Sequence, residues 1–240
     1  MKIIIIAGGF GTRISEETDD KPKPMVLIGD KPIIWHLMNI YCMQGFNDFI
    51  ISTGYKSEVI ENWVKNNVIL DSANNPMNIE IMNTGINTQT GGRISEVMKN
   101  LPGERVLATY GDGLANIPIT NLLKFHNSHG KLATVTAVRP PARFGYMKIK
   151  KNKVINFGEK NQADEGWING GFFVLEPEVV NYVQTANEPF ETGALVRLVT
   201  DFQLMSYCHH GFWQPMDTLR EKRDLEVKAL QTLPPWLQFI

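Results

Sequence analysis

The sequence predicts an α/β fold: a mainly parallel mixed sheet with helices on both faces, in a single domain. Three observations predict it. The opening run KIIIIA (2–7) is continuously β-branched up to a glycine, as expected of a strand covered on both faces in a parallel sheet. Strand-like and helix-like segments then alternate over the first 140 or so residues, which argues for a right-handed, doubly wound sheet with ligands at the carboxyl ends of its strands. From residue 144 two strand-like segments follow one another directly, so the sheet is mixed and carries a small β-hairpin subregion.

The elements follow in order. From Lys31 to Gly45, the residues Ile33, Ile34, Leu37, Met38, Ile40 and Tyr41 recur at helical spacing, and Gly45 supplies a left-handed stop. NDFIISTGY (47–55) reads as a strand, 56–66 as a helix and NIEIMNT (78–84) as a strand. A helix is expected after Gly92, a strand at RVLATY (105–110), a helix at 118–129 and a strand at LATVTAV (132–138). FGYMKIKKNKVINFGEK (144–160) reads as two strands around a Lys-Lys-Asn-Lys turn, and WINGGFFVLEP (167–177) as a strand meeting a helix. No internal repeat or long linker divides the chain.

Composition narrows the function classes. At 240 residues, 43% hydrophobic and 20% charged, the chain has the make-up of a globular domain of ordinary size. Its 24 Lys and Arg balance 25 Asp and Glu, so no broad basic field attracts nucleic acid or an anionic membrane. An anion site must therefore be local. No apolar stretch approaches the roughly 18 residues of a membrane span, and the apolar run at the start is too short for a signal peptide. Cys42 and Cys208 belong to no metal or disulfide spacing and read as free buried thiols, which places the protein in the cytoplasm.

The turn after the first strand, AGGFGTR, is the chemically informative stretch. Gly8, Gly9 and Gly11 allow backbone amides to approach an anion, or equally allow a tight strand-to-helix turn. No Lys-Ser/Thr pair follows, so this is not a Walker P-loop. Ile14 stands where a dinucleotide fingerprint needs its third glycine, which counts against hydride transfer. Downstream, Pro22 and Pro24 restrict the backbone on either side of Lys23, so its ammonium is delivered in a preset direction.

With Gly-Gly-x-Gly-Thr-Arg followed by Pro-Lys-Pro-Met, the chain resembles the sugar-1-phosphate nucleotidylyltransferases. TGGRI (90–94), TYGDG (109–113), RFGYMKI (143–149), INGGFFVLEP (168–177) and GFWQPMDT (211–218) are similar to the glucose-1-phosphate cytidylyltransferase branch. The resemblance implies a Rossmann-like fold of the nucleotide-diphospho-sugar transferase type, a nucleotide half at about 1–115 and a sugar-phosphate half at about 116–240. It implies CTP and a sugar 1-phosphate as substrates, Mg²⁺ as cofactor, and a homo-oligomer. Ile6, Ala7, Gly8, Gly9, Phe10, Gly11, Thr12 and Arg13 match the nucleotide-binding turn, with Lys23, Thr88, Arg93 and Gly111 as further nucleotide contacts. Asp112 and Asp217 match the metal ligands, and Tyr146, Glu159, Lys160, Asn169 and Gly170 the sugar-phosphate side. The catalytic set implied is Arg13, Lys23 and Asp112.

The chemistry implied can be checked against the residues. A phosphomonoester has its second pKa near about 6, so the attacking oxygen is already ionised and no general base is required. This agrees with a sequence showing no Ser-His-Asp or Cys-His constellation. What remains is to bring one anion to another, which calls for cations and alignment. Arg13 can fork across two phosphate oxygens, while Lys23 acts as a point charge. Asp217 read alone is an N-cap for the helix at TLREKRDLEVKAL; only the resemblance makes it a ligand. Trp213 is expected to pack beneath that aspartate in preference to meeting substrate, and His126, His129, His209 and His210 to be surface or packing residues. Three departures from the branch stand out: Asn161 where a proline follows the lysine, FETGAL (190–195) in place of a Glu-Pro-Leu run, and a shortened segment between Trp63 and Thr84. The first two fall on the side that reads the sugar, and the third in a segment tied to assembly.

Overall fold

The computed structural model describes residues 1–140, 146–150, 152–158 and 166–239. In chain order the elements are β1 (Ile3–Ile6), the one-turn α1 (Ser15–Thr18), the short strands β2 (Leu27–Ile28) and β3 (Lys31–Pro32), α2 (Ile33–Cys42), β4 (Asp48–Thr53), α3 (Ser57–Lys65) and β5 (Asn78–Asn83). Then come α4 (Thr90–Lys99), β6 (Val106–Tyr110), β7 (Gly113–Ala115), α5 (Ile119–His129), β8 (Ala133–Val138), β9 (Tyr146–Lys150) and β10 (Lys153–Gly158). Last are β11 (Ile168–Leu175), a 3-10 segment at Pro177–Tyr182, α6 (Ala194–Thr200), β12 (Leu204–Cys208), β13 (Trp213–Pro215) and α7 (Leu219–Ala229).

Seven strands form the main sheet in the order β12-β8-β11-β6-β1-β4-β5. All pairings within it are parallel except those of β11, which runs against both β6 and β8. The expected mainly parallel mixed sheet is therefore the one observed. β1 shows why its isoleucines are unbroken: Ile3 and Ile5 face one core cluster, and Ile4 and Ile6 face the other. Alternate side chains of a strand point to opposite faces, so a strand covered twice needs apolar residues at every position. Burying each such side chain stabilises the fold by roughly 1.5–3 kcal/mol.

The chain leaves β1 toward β4 and β5, then returns to β6 on the other side of β1. That reversal opens a crevice at the carboxyl ends of β1 and β6. β9 and β10 form a separate antiparallel hairpin, as the sequence predicts, with Asn152 left-handed in its turn (φ 62°).

Several boundaries differ from expectation. α2 starts two residues late, because Lys31 and Pro32 pair with β2 instead, and beyond its end at Cys42 Gly45 is left-handed (φ 85°), as expected of the stop. α4 starts at Thr90, ahead of Gly92: Gln89 and Gly91 donate their N–H groups to Ala186 O and Glu188 O, so a neighbouring segment satisfies the helix's open end. Cys42 is half-buried with its thiol pKa pushed up to about 12 by burial, but Cys208, on edge strand β12, is exposed. Among the described residues no helix is long and apolar enough to cross a membrane.

Four histidines have lowered pKa values, with burial the main cause each time: His36, His126, His129 and His209. Packing is the expected role of His126, His129 and His209, and the first two form a directed chain. His129 Nδ1 accepts from Lys131 N (2.9 Å), so its Nε2 donates to Thr134 Oγ1 (2.8 Å). The Thr134 hydroxyl then donates to His126 Nδ1 (2.8 Å), whose Nε2 donates to Glu176 (3.0 Å), a carboxylate also held by Arg105. Unfolded histidine takes up its proton near about pH 6.5, before these neutral rings do. Stability is accordingly expected in full above about pH 6.5 and is lost as the pH falls below it. Calorimetric melting at two pH values, one above and one below that point, checks this; equal melting temperatures would contradict it.

Candidate active site

A cavity of about 510 Å³ opens at the crevice between β1 and β6. Its floor is Ile6 and Ala7 at the end of β1, with Tyr110 and Gly111 at the end of β6. Gly111 donates its N–H to Ile6 O (3.0 Å), tying the two strand ends together.

Gly9, Gly11, Thr12 and Arg13 line one side. Gly8 and Phe10, also expected in the nucleotide turn, do not line the cavity: Phe10 is exposed and packs against Tyr55, while Gly8 turns its carbonyl to Arg93. The need for glycine at position 8 is direct, since a Cβ there would lie 2.1 Å from the Arg93 guanidinium carbon. Arg93 lines the cavity yet is buried, and it donates to Thr53 O (2.6 Å), Thr84 Oγ1 (2.7 Å) and Gly8 O (2.9 Å). These bonds show a guanidinium that fixes the turn against the ends of β4 and the segment after β5. Burial outweighs the attraction of Glu96 and lowers its pKa. Thr88 lines the cavity too, its hydroxyl bonded to Thr84 O.

Lys23 stands at the centre. Pro22 is extended (ψ 152°) and Lys23–Met25 form a 3-10 turn, so the lysine enters the cavity wall with only 7% of its surface exposed. Its Nζ donates to Asp112 Oδ2 and to Asp217 Oδ1, each at 2.6 Å. Arg13 Nη1 donates to Asp217 Oδ2, also at 2.6 Å, from an exposed position at the rim. Burial alone would lower the Lys23 pKa, but the two carboxylates overcome it and the net shift is upward. The ammonium stays charged.

A small ribbon explains how two aspartates so far apart in sequence meet. β13 pairs antiparallel with β7, matching Trp213 to Ala115 and Pro215 to Gly113, and Met216 N donates to Asp112 O (2.9 Å). Asp112 and Asp217 flank this ribbon at the same end. The capping role that sequence alone gives Asp217 belongs to its neighbour. Thr218 is the N-cap of α7 and accepts from Glu221 N, while the Glu221 carboxylate accepts from Asp217 N (2.8 Å), a reciprocal arrangement. The Asp217 side chain is thereby left for the cavity.

On the other expected flank, Asn169 lines the cavity; Gly170 does not, but its carbonyl accepts from Trp213 Nε1 (2.9 Å). Trp213, expected to pack in preference to meeting substrate, is also part of the cavity wall. Glu159 and Lys160 lie outside the described residues, and Tyr146 is described by its backbone alone, at the start of β9. Five lining residues were not singled out from sequence: Gln89, Thr90, Tyr110, Glu191 and Pro215. Tyr110 had a readable signal as the last residue of a strand ending at the crevice; Glu191 lay within a stretch noted only for its departure.

A sequence model of the nucleotidyl transferase family matches residues 2–218. The chain belongs to that family. It is 44% identical to the glucose-1-phosphate cytidylyltransferase of Salmonella typhimurium, over 98% of both chains. It is 29% identical to the mannose-1-phosphate guanylyltransferase catalytic subunit beta of Dictyostelium discoideum, over 99% of this chain and 67% of that one. Among solved structures, HddC from Yersinia pseudotuberculosis superposes with a TM-score of 0.71 over 95% of this chain and 99% of that one, at 22% identity, a likeness of fold.

Proposed function

We propose that this nucleotidyl transferase moves the cytidylyl group of CTP to α-D-glucose 1-phosphate, giving CDP-glucose and pyrophosphate. The observation that carries the reading is the convergence of the glycine turn, Arg13, Lys23, Asp112 and Asp217 on one cavity, in a chain whose identity to a cytidylyl relative is 44% against 29% for a guanylyl one. A nucleotide-sugar-binding module without activity has no need of this charge set.

The acceptor phosphate is itself the nucleophile and is ionised at neutral pH. The residues therefore position and neutralise: Arg13 and Lys23 compensate the charge of the triphosphate, and the floor at Ile6, Ala7 and Gly111 sets its depth. Asp112 and Asp217 fit a hard divalent cation, because each already directs one oxygen at the same Lys23 ammonium. Mg²⁺ held by these two carboxylates would supply neutralising charge on the phosphates. Lys23, freed from them, would turn to the α-phosphate and the departing pyrophosphate.

CTP is expected to bind more tightly than UTP, dTTP or GTP. Calorimetric titration with each nucleotide tests this, and equal or tighter binding of another would overturn the base assignment. A pyrophosphate-release screen of the four nucleotides against a panel of sugar 1-phosphates tests the reaction and its acceptor together.

A further inference from the structure

Around Tyr110 the cavity wall is a hydrogen-bond chain with a definite direction. Gly171 N donates to Asn169 Oδ1 (2.9 Å), which fixes the amide so that Asn169 Nδ2 donates to Tyr110 Oη (3.1 Å). Tyr110 Oη donates to Glu191 Oε1 (2.5 Å). On the other side Phe190 N donates to Thr90 Oγ1 and Thr90 Oγ1 donates to Glu191 Oε2, both at 2.8 Å. Both hydroxyl hydrogens thus end on one carboxylate. The backbone is shaped for this: β11 is irregular between Asn169 and Phe173, and Gly171 is left-handed (φ 73°). A Cβ on Gly171 would lie 3.0 Å from the Tyr110 ring, so only glycine lets β11 come this near. Burial and the Glu191 charge hold the Tyr110 phenol pKa far above its ordinary value, and it remains a donor.

An ionised carboxylate has about four lone-pair sites, and the chain occupies two. What this wall still offers the cavity is the rest of the Glu191 lone pairs beside one uncommitted amide hydrogen of Asn169. A neighbouring acceptor and donor of this kind hold a sugar hydroxyl in both directions at once, and the negative charge turns phosphate oxygens away. We propose that Glu191, held by Tyr110 and Thr90 and set beside Asn169, reads a hydroxyl of the sugar acceptor and keeps the phosphates at the Arg13 and Lys23 part of the cavity. The assignment rests on the function proposed above. It also links the two substrates, since Thr90 opens α4, which carries Arg93 and is preceded by Thr88, both lining the cavity.

The test is a cycle of binding measurements by calorimetry. α-D-Glucose 1-phosphate and its 2-, 3-, 4- and 6-deoxy analogues are titrated into the wild-type protein, Glu191→Gln and Tyr110→Phe, with melting curves to establish that each variant folds. One deoxy analogue is expected to bind the wild type about tenfold or more weakly, as for a lost hydrogen bond to a charged group, and to lose little further in Glu191→Gln. Tyr110→Phe keeps the ring, frees one carboxylate oxygen, and is expected to weaken that same discrimination in part. If every analogue suffers the same penalty in the wild type and in Glu191→Gln, the assignment is overturned. If sugar 1-phosphates bind and the cycle closes as expected but no nucleotide releases pyrophosphate, the transfer reaction falls and the role of Glu191 stands. If no sugar 1-phosphate binds, both fall.

Discussion

Lys23→Ala is expected to lower kcat about a hundredfold, and not merely to raise KM. Lys23 is a buried cation of the cavity, placed by Pro22 and the 3-10 turn that follows, so its charge is pre-oriented before any ligand arrives. Such a charge counts most where negative charge is redistributed between the α-phosphate and the departing pyrophosphate. Loss of one preorganised contact of this kind costs on the order of 3 kcal/mol in the transition state. A structural contribution can be separated. Without Lys23, Asp112 and Asp217 face each other with no ammonium between them, so the variant's melting temperature is expected to fall and to respond more strongly to added Mg²⁺ than the wild type's. Lys21 is the comparison: it lies beside the same proline, pairs only loosely with Asp20 (3.5 Å), and does not line the cavity. Lys21→Ala should keep the wild-type kcat and KM. Steady-state kinetics on both variants decide the matter, and an unaffected kcat in Lys23→Ala would reduce the braced lysine to a rigid turn.

The parts of the fold that were legible in the sequence are those whose cause is local. Four isoleucines in a row can satisfy only a strand covered twice, and β1 is that strand. The alternation that follows fixes a doubly wound sheet because each helix must bury one face against it. Ends were less legible, since tertiary partners set them: α4 begins where Ala186 and Glu188 accept its first N–H groups, and α2 begins late because Lys31 and Pro32 pair with β2.

The site divides along the same line. The glycine turn and the braced Lys23 announce themselves by composition and spacing. Asp217 does not, because an aspartate before a helix has an ordinary use as a cap, and its assignment to the cavity depends on Thr218 taking that use and on the pairing of β13 with β7. Glu191 had no local signal. Its significance arises only when α4, β6, β11 and the segment before α6 are brought to one wall, and no window of sequence contains all four. Gly8 and Arg93 have a structural role that the sequence did not announce: they support the nucleotide turn, with three Arg93 N–H groups bonded to backbone and threonine oxygens, while Arg93 still lines the cavity.

Asp112→Asn and Asp217→Asn are each expected to reduce turnover by two orders of magnitude or more at moderate Mg²⁺, with partial recovery as Mg²⁺ is raised. Each change removes one anionic oxygen ligand from a cation needed to neutralise the triphosphate, while leaving the side chain's shape intact. Stability should fall far less. The asparagine oxygen can still accept from Lys23, which keeps its other aspartate, and Arg13, the second partner of Asp217, is largely exposed and gains little from the pair. Thr218→Ala supplies the opposite profile, because it removes the cap of α7 without touching a ligand: about 1 kcal/mol of stability is expected to go, with turnover near that of the parent. Melting curves and a Mg²⁺ titration of initial rates on the three variants separate the two roles. Near-normal turnover of Asp217→Asn at saturating Mg²⁺, together with a large loss of melting temperature, would show that the carboxylate serves the fold and that the cation is held elsewhere.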